Sequence, residues 1–137
     1  MLQNTPERRS SDVPEQFYGY AIQVPRMMAH LLVADLGCHV CLEHIDDVVT
    51  LGPGIVAKLE QSKSSFSANP VADRALPFWK TLSNWVDVVK AKRVDPATAR
   101  FHLHLAQDRE CGALVAQLRD AKTDADAEKA FENARTE

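Results

Sequence analysis

A short stretch of the chain, LEHIDDVVTLGPGIVAKLEQSKS at residues 42 to 64, places three carboxylates shortly before a turn and a lysine after it. Its polar members of chemical interest are Glu43, Asp46, Asp47, Gln61 and Lys63. Carboxylate and amide oxygens are ligands that Mg²⁺ accepts, and an ammonium group can stabilise negative charge that builds on a phosphate. These residue types predict metal-assisted hydrolysis of a phosphodiester bond, provided that the fold brings them together.

The turn between the carboxylates and the lysine is the strongest turn signal in the chain. GPG at 52–54 separates two apolar, β-rich segments, so we expect a hairpin. Side chains two apart on a strand share a face, which puts Gln61 and Lys63 together. If the hairpin pairs the two segments, Asp47 at the start of the first strand lies near Gln61 and Lys63 at the end of the second.

Each side chain of this cluster has its own expected role. Asp47 would anchor the metal ion, with Glu43 or Asp46 in support. Gln61 would complete the metal shell through its side-chain oxygen, and Lys63 would orient water and stabilise the charged phosphorus centre. The alternative is an ordinary solvated surface, because acidic residues at strand ends and a lysine before a serine-rich loop are common.

The remaining sequence predicts one α/β domain that would position the cluster. The chain has 137 residues, of which 45% are hydrophobic and 26% are charged, as is usual for a single globular domain. We expect a flexible arm at 1–16, the domain at 17–121, and a charged helix or tail at 122–137. The expected elements are a helix within 20–37, strands within 38–44, 47–51 and 55–63, a helix within 75–92, a strand within 100–106 and a helix within 111–121.

The two long helices show the 3.6-residue apolar spacing of amphipathic helices. Trp79 and Trp85 are expected to pack in the core, and Asp73 is expected to cap the second long helix. The apolar positions of the pattern are Ile22, Val24, Met27, Met28, Leu31, Leu32 and Leu36 in the first helix, and Leu76, Trp79, Leu82, Trp85, Val86 and Val89 in the second.

Composition also favours a cytoplasmic protein with no membrane segment. No apolar run approaches the length of a membrane span, and the polar start lacks the apolar centre of a secretory signal. Three cysteines, an odd number, fit a reducing compartment. The net charge of −3 argues against strong binding to a nucleic-acid backbone. A local basic excess partly offsets it, at Arg74, Lys80, Lys90, Lys92 and Arg93.

Four separated pieces resemble one known family of nucleases. They are GYAIQ at 19–23, LEHIDDV at 42–48, EQSK at 60–63 and DRALPFWKTLSNW at 73–85. In this order they are similar to the double-stranded-DNA endonuclease domain of CBASS-type anti-phage effectors and related defence nucleases. That domain is a branch of the PD-(D/E)xK, or restriction-endonuclease-like, superfamily, whose core order is α-β-β-β-α-β.

The resemblance implies a role for each matched residue. Asp47 matches the metal-binding aspartate, Lys63 the catalytic lysine, and Glu43 the acidic residue that precedes them. Gln61 matches a position that is Asp or Glu in most of the superfamily. Gln23 would lie beside the active site.

The implied activity is Mg²⁺-dependent hydrolysis of double-stranded DNA in bacterial anti-phage defence, with Mn²⁺ as a possible substitute. Lys80 and Arg74 would contact DNA phosphates. The implied partners are DNA and either a further copy of the chain or a partner defence protein.

Two non-enzymatic functions remain open. Because Gln61 leaves the metal site one carboxylate short, the chain could be a nuclease-like DNA-binding or assembly module without a competent metal site. It could also be a plain interaction domain of a larger defence complex.

The cysteines and histidines offer a further metal hypothesis. Cys38, Cys41 and His44 are half of a zinc site, and the HLH segment at 102–104 with Cys111 could add a ligand. Cys38 and Cys41 would point to opposite faces of a strand, which disfavours a shared zinc ion. A redox role is disfavoured too, because a strand and not a helix follows the pair. His102 and His104 are expected on the outer face of their strand.

Overall fold

Four strands form one mixed sheet in the computed structural model, which describes residues 13–65 and 68–136. The strands are β1 (His39–Leu42), β2 (Val48–Gly52), β3 (Ile55–Lys63) and β4 (Arg100–Leu105). They lie in the order β1-β2-β3-β4; β1, β2 and β3 are antiparallel neighbours, and β4 runs parallel to β3. The long connection that a parallel pair requires contains a helix.

Five helices accompany the sheet within the described residues. They are α1 (Val13–Ala21), α2 (Gln23–Val33), α3 (Leu76–Lys90), α4 (Ala113–Asp120) and α5 (Asp124–Thr136). The α/β class is therefore confirmed, whereas a restriction-endonuclease-like core stays a prediction. Residues 13–16 of the expected arm belong to α1, and the rest of that arm lies outside the described residues. No helix of the described ranges has the length and apolar character needed to span a bilayer.

The predicted hairpin is confirmed. Val48 pairs with Glu60 and Val49 with Leu59, with a shift of register after Thr50. Gly54 in the connecting turn has a φ of 75°, in the left-handed region that glycine adopts without strain.

A proline explains why the first helical segment is divided at Ile22. Pro25 has no N–H to donate to the carbonyl of Ala21, and its ring crowds that carbonyl. The surrounding helical hydrogen bonds survive: Ile22 N donates to Tyr18 O at 3.1 Å, and Arg26 N donates to Ile22 O at 3.3 Å. The helical backbone thus continues across Ile22 from α1 into α2.

The apolar side of α2 does not face the core, although an amphipathic pattern is typical of a helix that buries its apolar side. Its buried residues are the polar Gln23 and His30, which face the sheet. Val24 is 52% exposed and Leu32 is 81% exposed, so the apolar side of the helix points away from the core. The periodicity correctly predicted a helix, but it did not show which side of the helix faces the sheet.

The core lies elsewhere, in the central strands and under α3. Val48, Val49 and Leu59 are fully buried in the middle of the sheet. A second cluster joins Phe78 of α3 to Leu114 of α4 and Ala130 of α5. Part of the charged C-terminal segment is therefore packed against the core through α5.

The apolar face of α3 is also rotated from the expected one. Phe78 and Thr81 are its buried residues, while Trp79 is 39% exposed and donates from Nε1 to Asp73 O at 2.8 Å. The expected core position of Trp79 is therefore wrong. Trp85 is half-buried against Phe101 of β4, with ring centroids 5.3 Å apart.

Asp73 caps α4 and not the helix that follows it in sequence. Its carboxylate accepts hydrogen bonds from Ala113 N at 3.0 Å and Leu114 N at 2.8 Å. Ala75 stands at the N-cap of α3 and makes no side-chain cap. The cap therefore ties the loop before α3 to the start of α4, a contact between residues 40 apart in sequence.

Gly112→Ala is expected to destabilise the fold through this cap. A Cβ on Gly112 would lie 2.5 Å from Asp73 Oδ1 and 2.6 Å from Asp73 N, so backbone as well as side chain must shift. We expect a loss of about 1–3 kcal/mol in unfolding free energy, measured by chemical denaturation. Gly19→Ala is the control: its Cβ would meet Ser64 Oγ at an ordinary 3.7 Å, so helix propensity should stabilise the protein by about 0.5–1 kcal/mol. Equal effects of the two changes would contradict this account.

Candidate functional site

The carboxylate of Asp47 lies just before β2, where the neighbouring strand β3 holds it. Gln61 Nε2 donates to Asp47 Oδ2 at 2.6 Å, and Ser62 N donates to the same oxygen at 2.8 Å. Because Val48 pairs with Glu60, Asp47 comes next to Gln61. The structure thus brings Asp47 and Gln61 together as the hairpin predicted.

The loop between β1 and β2 folds three carboxylates towards each other. Glu43 has a φ of 51°, a conformation that is rare for a residue with a side chain, and its N–H donates to Asp47 O at 3.1 Å. Asp47 N donates to Asp46 Oδ1 at 3.0 Å. This tight loop keeps the acidic side chains close despite their mutual repulsion.

Two flanking helices supply hydrogen bonds to the other carboxylates. Gln23 Nε2, at the start of α2, donates to Glu43 Oε1 at 2.5 Å. Trp85 Nε1, on α3, donates to Asp46 Oδ2 at 2.6 Å. Trp85 was expected only to pack in the core, and its indole N–H is a link to the site that periodicity cannot reveal.

The electrostatics of the cluster are unfavourable as they stand. Burial raises the pKa of Asp46 and of Asp47, and for both the charge of Glu43 adds to this effect. Burial lowers the pKa of Lys63, although Asp47 and Asp46 oppose that change. Half-buried charges of both signs therefore lie close together, and a bound cation would relieve the repulsion among the carboxylates.

Two open clefts meet at these side chains. One, of about 290 Å³, lies between the β1–β2 loop and α3 and is lined by Asp46, Trp85 and Asn84. The other, of about 480 Å³, lies beside α1 and is lined by Gln16, Tyr20, Gln23 and Ser62. Glu43, Asp47 and Gln61 line both. Both clefts therefore give solvent access to the same three residues.

A buried hydroxyl also belongs to the second cleft. Ser62 is 8% exposed, and its Oγ has no hydrogen-bond partner among the described residues. Ser62 stands between Gln61 and Lys63 and was not among the predicted site residues. Alternation along β3 puts Ser62 on the face opposite Gln61 and Lys63, which is why the strand pattern did not indicate a role for it.

The donor set suits a hard cation. Mg²⁺ is typically held by one or two carboxylates and keeps several waters. Asp47, Glu43 and Gln61 offer oxygen donors of that type, and the amide of Gln61 can present its oxygen by a half-turn. The site is not a closed cage, because no three His, Cys, Asp or Glu side chains in residues 13–65 and 68–136 are grouped to hold a metal.

Of the remaining predicted residues, some lie near the acidic cluster and one lies away from it. Lys80 is close enough to lower the pKa of Lys63, which is half-buried. Arg74 lies elsewhere, lining a pocket with Gln117 and Asn133 of α4 and α5. The structure therefore unites every predicted site residue except Arg74.

The cysteine and histidine candidates do not form a metal centre in the described part of the chain. Cys38, Cys41 and Cys111 are free and half-buried. His102 is exposed and His104 is half-buried, on the face of the sheet that α2 covers. Burial lowers the pKa of both histidines.

A buried ionic network behind the site was missed entirely. Glu60, with no exposed surface, accepts from Arg26 Nε at 2.6 Å and from Arg26 Nη2 at 2.8 Å. His30 Nε2 lies 3.0 Å from Glu60 Oε2, and His30 Nδ1 lies 2.8 Å from Thr50 Oγ1. The i, i+4 spacing of Arg26 and His30 was the available signal, but it does not identify the strand partner.

This network fixes α2 to the face of the sheet opposite Gln61. Neighbouring residues on a strand point to opposite faces, so Glu60 anchors the helix while Gln61 meets Asp47. The same helix carries Gln23 to Glu43. The ionic network therefore positions one wall of the site from behind.

Comparison with protein-family models, curated proteins and solved structures found no match to this chain.

Proposed function

We propose that the protein is a metal-dependent endonuclease that hydrolyses phosphodiester bonds of double-stranded DNA, acting as an effector domain in bacterial anti-phage defence. One observation carries the enzymatic part of the proposal: Asp47, Gln61 and Lys63 converge at neighbouring strand ends, beside two open clefts. The choice of DNA and of a defence role rests on the resemblance of the four sequence pieces.

The residues divide the chemical work as follows. A bound Mg²⁺ would activate a water molecule and polarise the scissile phosphate. Asp47 would hold the ion through its carboxylate, with Glu43 and the Gln61 amide oxygen in support and Asp46 adding negative charge. Lys63 would stabilise the charge that builds on the phosphate.

The low charge of the chain shapes how it would hold DNA. A net charge of −3 gives little non-specific attraction to a phosphate backbone. Lys80 supplies positive charge next to Lys63, and Gln23 can donate hydrogen bonds from the wall of a cleft. We therefore expect weak, strongly salt-dependent binding with little sequence preference.

A nuclease-like assembly module without activity is the second candidate, and one observation favours it. Gln61 donates to Asp47 and Gln23 donates to Glu43, so amide groups satisfy carboxylates that would otherwise need a cation. A Mg²⁺ titration followed by calorimetry separates the two candidates. Saturable binding that requires Asp47 supports the nuclease, and the absence of binding supports the module.

Lys63→Ala is expected to reduce cleavage by about a hundredfold while leaving Mg²⁺ affinity unchanged or slightly higher. The ammonium acts on the developing phosphate charge, and its removal takes a repelling cation away from the metal site. Because Lys63 is half-buried with a lowered pKa, unfolding free energy should change by no more than about 0.5 kcal/mol. Initial cleavage rates, calorimetry and denaturation curves measure the three effects.

Lys58→Ala is the matched control for Lys63. Lys58 also lies on β3, but its ammonium is 3.8 Å from Glu60, on the face that α2 covers. Cleavage by this variant should equal that of the parent. If Lys63→Ala cuts DNA as fast as Lys58→Ala does, Lys63 has no catalytic role.

A further inference from the structure

Asp46 differs from the two other carboxylates of the cluster in how its oxygens are used. Trp85 Nε1 donates to Asp46 Oδ2 at 2.6 Å, and Asp47 N donates to Asp46 Oδ1 at 3.0 Å. Among the described residues, the hydrogen bonds to the Asp47 carboxylate all reach Oδ2, and the one to the Glu43 carboxylate reaches Oε1. Asp47 and Glu43 therefore each keep one carboxylate oxygen free of hydrogen bonds within that part of the chain, whereas both oxygens of Asp46 accept one.

The two donors to Asp46 lie in separate parts of the fold. Trp85 is on α3, and its half-buried ring packs against Phe101 of β4. The second donor is the main chain of Asp47, in the loop that Glu43 N closes by donating to Asp47 O at 3.1 Å. Asp46 therefore joins α3 to the backbone of the residue that would hold the metal ion.

This pair of hydrogen bonds requires a carboxylate. An ionised aspartate offers two acceptor oxygens and no donor, so it can accept from an indole N–H and a main-chain N–H at once. Asparagine has one oxygen and one NH₂ group, so in either orientation it would turn an N–H towards one of these donors. The aspartate at position 46 is thus explained without any bond to a metal ion.

We propose that Trp85 and Asp46 are positioning residues for the metal site: Trp85 holds the Asp46 carboxylate, and this carboxylate holds the main chain of Asp47. Asp46 then contributes no ligand of its own, in contrast to the role expected from the sequence. Asp47 and Glu43, which each keep an open oxygen, supply the carboxylate ligands. The effect on Mg²⁺ rests on the proposed function, whereas the hydrogen-bonded link from α3 to Asp47 does not.

Loss of this link should weaken metal binding although no ligand is changed. Hydrogen bonds that orient the ligands of a metal typically contribute about tenfold to a hundredfold to its affinity. Trp85→Phe removes the indole N–H and keeps an aromatic ring against Phe101. We expect this variant to bind Mg²⁺ about tenfold more weakly than the parent, in calorimetric titrations of the full chain.

Combining Trp85→Phe with Asp46→Asn distinguishes a positioning residue from a ligand. In the parent, Asp46→Asn turns an N–H against a fixed donor and removes a charge, so Mg²⁺ affinity should fall by about a hundredfold. In the Trp85→Phe background, the asparagine can accept from Asp47 N and turn its NH₂ group to the space that the indole N–H has left. The loss caused by Asp46→Asn should therefore be about tenfold smaller in that background.

Trp79→Phe is the matched control. Trp79 also lies on α3, but its Nε1 donates to Asp73 O at 2.8 Å, and it lines neither cleft of the site. This variant should bind Mg²⁺ like the parent. Equal losses on Asp46→Asn in both backgrounds would overturn the proposal and make Asp46 a ligand. Mg²⁺ binding by Trp85→Phe that is no weaker than that by Trp79→Phe would overturn it too.

Unfolding free energies of the same proteins, measured without metal, test the link independently of the proposed nuclease. The loss caused by Asp46→Asn should again be smaller in the Trp85→Phe background. If this coupling is present and the parent binds no Mg²⁺, the result contradicts the proposed function and supports the link. Additive losses of unfolding free energy would overturn the link, whether or not Mg²⁺ binds.

Discussion

Asp47→Asn is expected to remove Mg²⁺-dependent cleavage, by about a hundredfold or more in rate, while leaving the protein as stable as the parent or more stable. Burial raises the pKa of Asp47, which means that the ionised form is less favourable in the folded chain than in the unfolded one. Asparagine removes that charge but keeps an oxygen to accept from Gln61 Nε2 and Ser62 N. Gain of stability with loss of activity distinguishes a functional carboxylate from a structural one.

Thermal melts and initial rates on a short labelled duplex measure the two effects of Asp47→Asn. Asp120→Asn is the control, because Asp120 is an exposed carboxylate that pairs with Arg119 at 2.9 Å. It should change neither the melting temperature nor the rate. If Asp47→Asn lowered the melting temperature strongly and left the rate intact, Asp47 would be a structural residue.

Glu60→Ala is expected to cause the largest loss of stability. Removing one partner of a buried, hydrogen-bonded ion pair typically costs about 3–5 kcal/mol, because the remaining partner stays buried and unpaired. Here His30 would lose its acceptor at 2% exposure, and Arg26 would lose both of its hydrogen bonds to the carboxylate. The expected fall in melting temperature is roughly 10–17 °C. Asp120→Ala, which breaks an exposed pair, should have little effect.

The lowered pKa of Glu60 predicts how the unfolding free energy depends on pH. Burial raises the pKa of Glu60, but the hydrogen bonds and charges of Arg26 and His30 outweigh it and bring the pKa to about 2, from 4.5. A carboxyl whose folded pKa is lowered contributes stability above its unfolded pKa and loses it as the pH falls towards the folded value. Unfolding free energy should therefore decrease from about pH 4.5 to about pH 2 more steeply in the parent than in Glu60→Ala. Equal slopes would contradict the role of Glu60.

The parts of the site that follow from local rules could be predicted from sequence. GPG predicted the hairpin, and antiparallel pairing brought the start of β2 to the end of β3. The shift of register after Thr50 then set Asp47 beside Gln61 and not beside Glu60. The convergence of Asp47, Gln61 and Lys63 at one end of the hairpin could therefore be predicted, whereas the pairing of Asp47 with Gln61 depends on a register shift that the sequence did not indicate. The same reasoning predicted a strand at 100–106, where β4 lies.

What could not be predicted depends on contacts between distant segments. Helical periodicity shows that α2 has an apolar side, but not that Glu60 would hold its polar side against the sheet. Asp73 precedes one helix in sequence and caps another, because the fold brings Gly112 against it. Arg74 was grouped with the site because of its charge, but its side of the loop faces α4 and α5.

Incubation of supercoiled plasmid DNA with the full chain tests the proposed nuclease most directly. We predict nicked and linear products in Mg²⁺ or Mn²⁺, none when the metal is chelated, and none with Asp47→Asn under the same conditions. Intact plasmid after incubation with folded parent protein in both metals would contradict the proposal, and so would cleavage by Asp47→Asn at the rate of the parent.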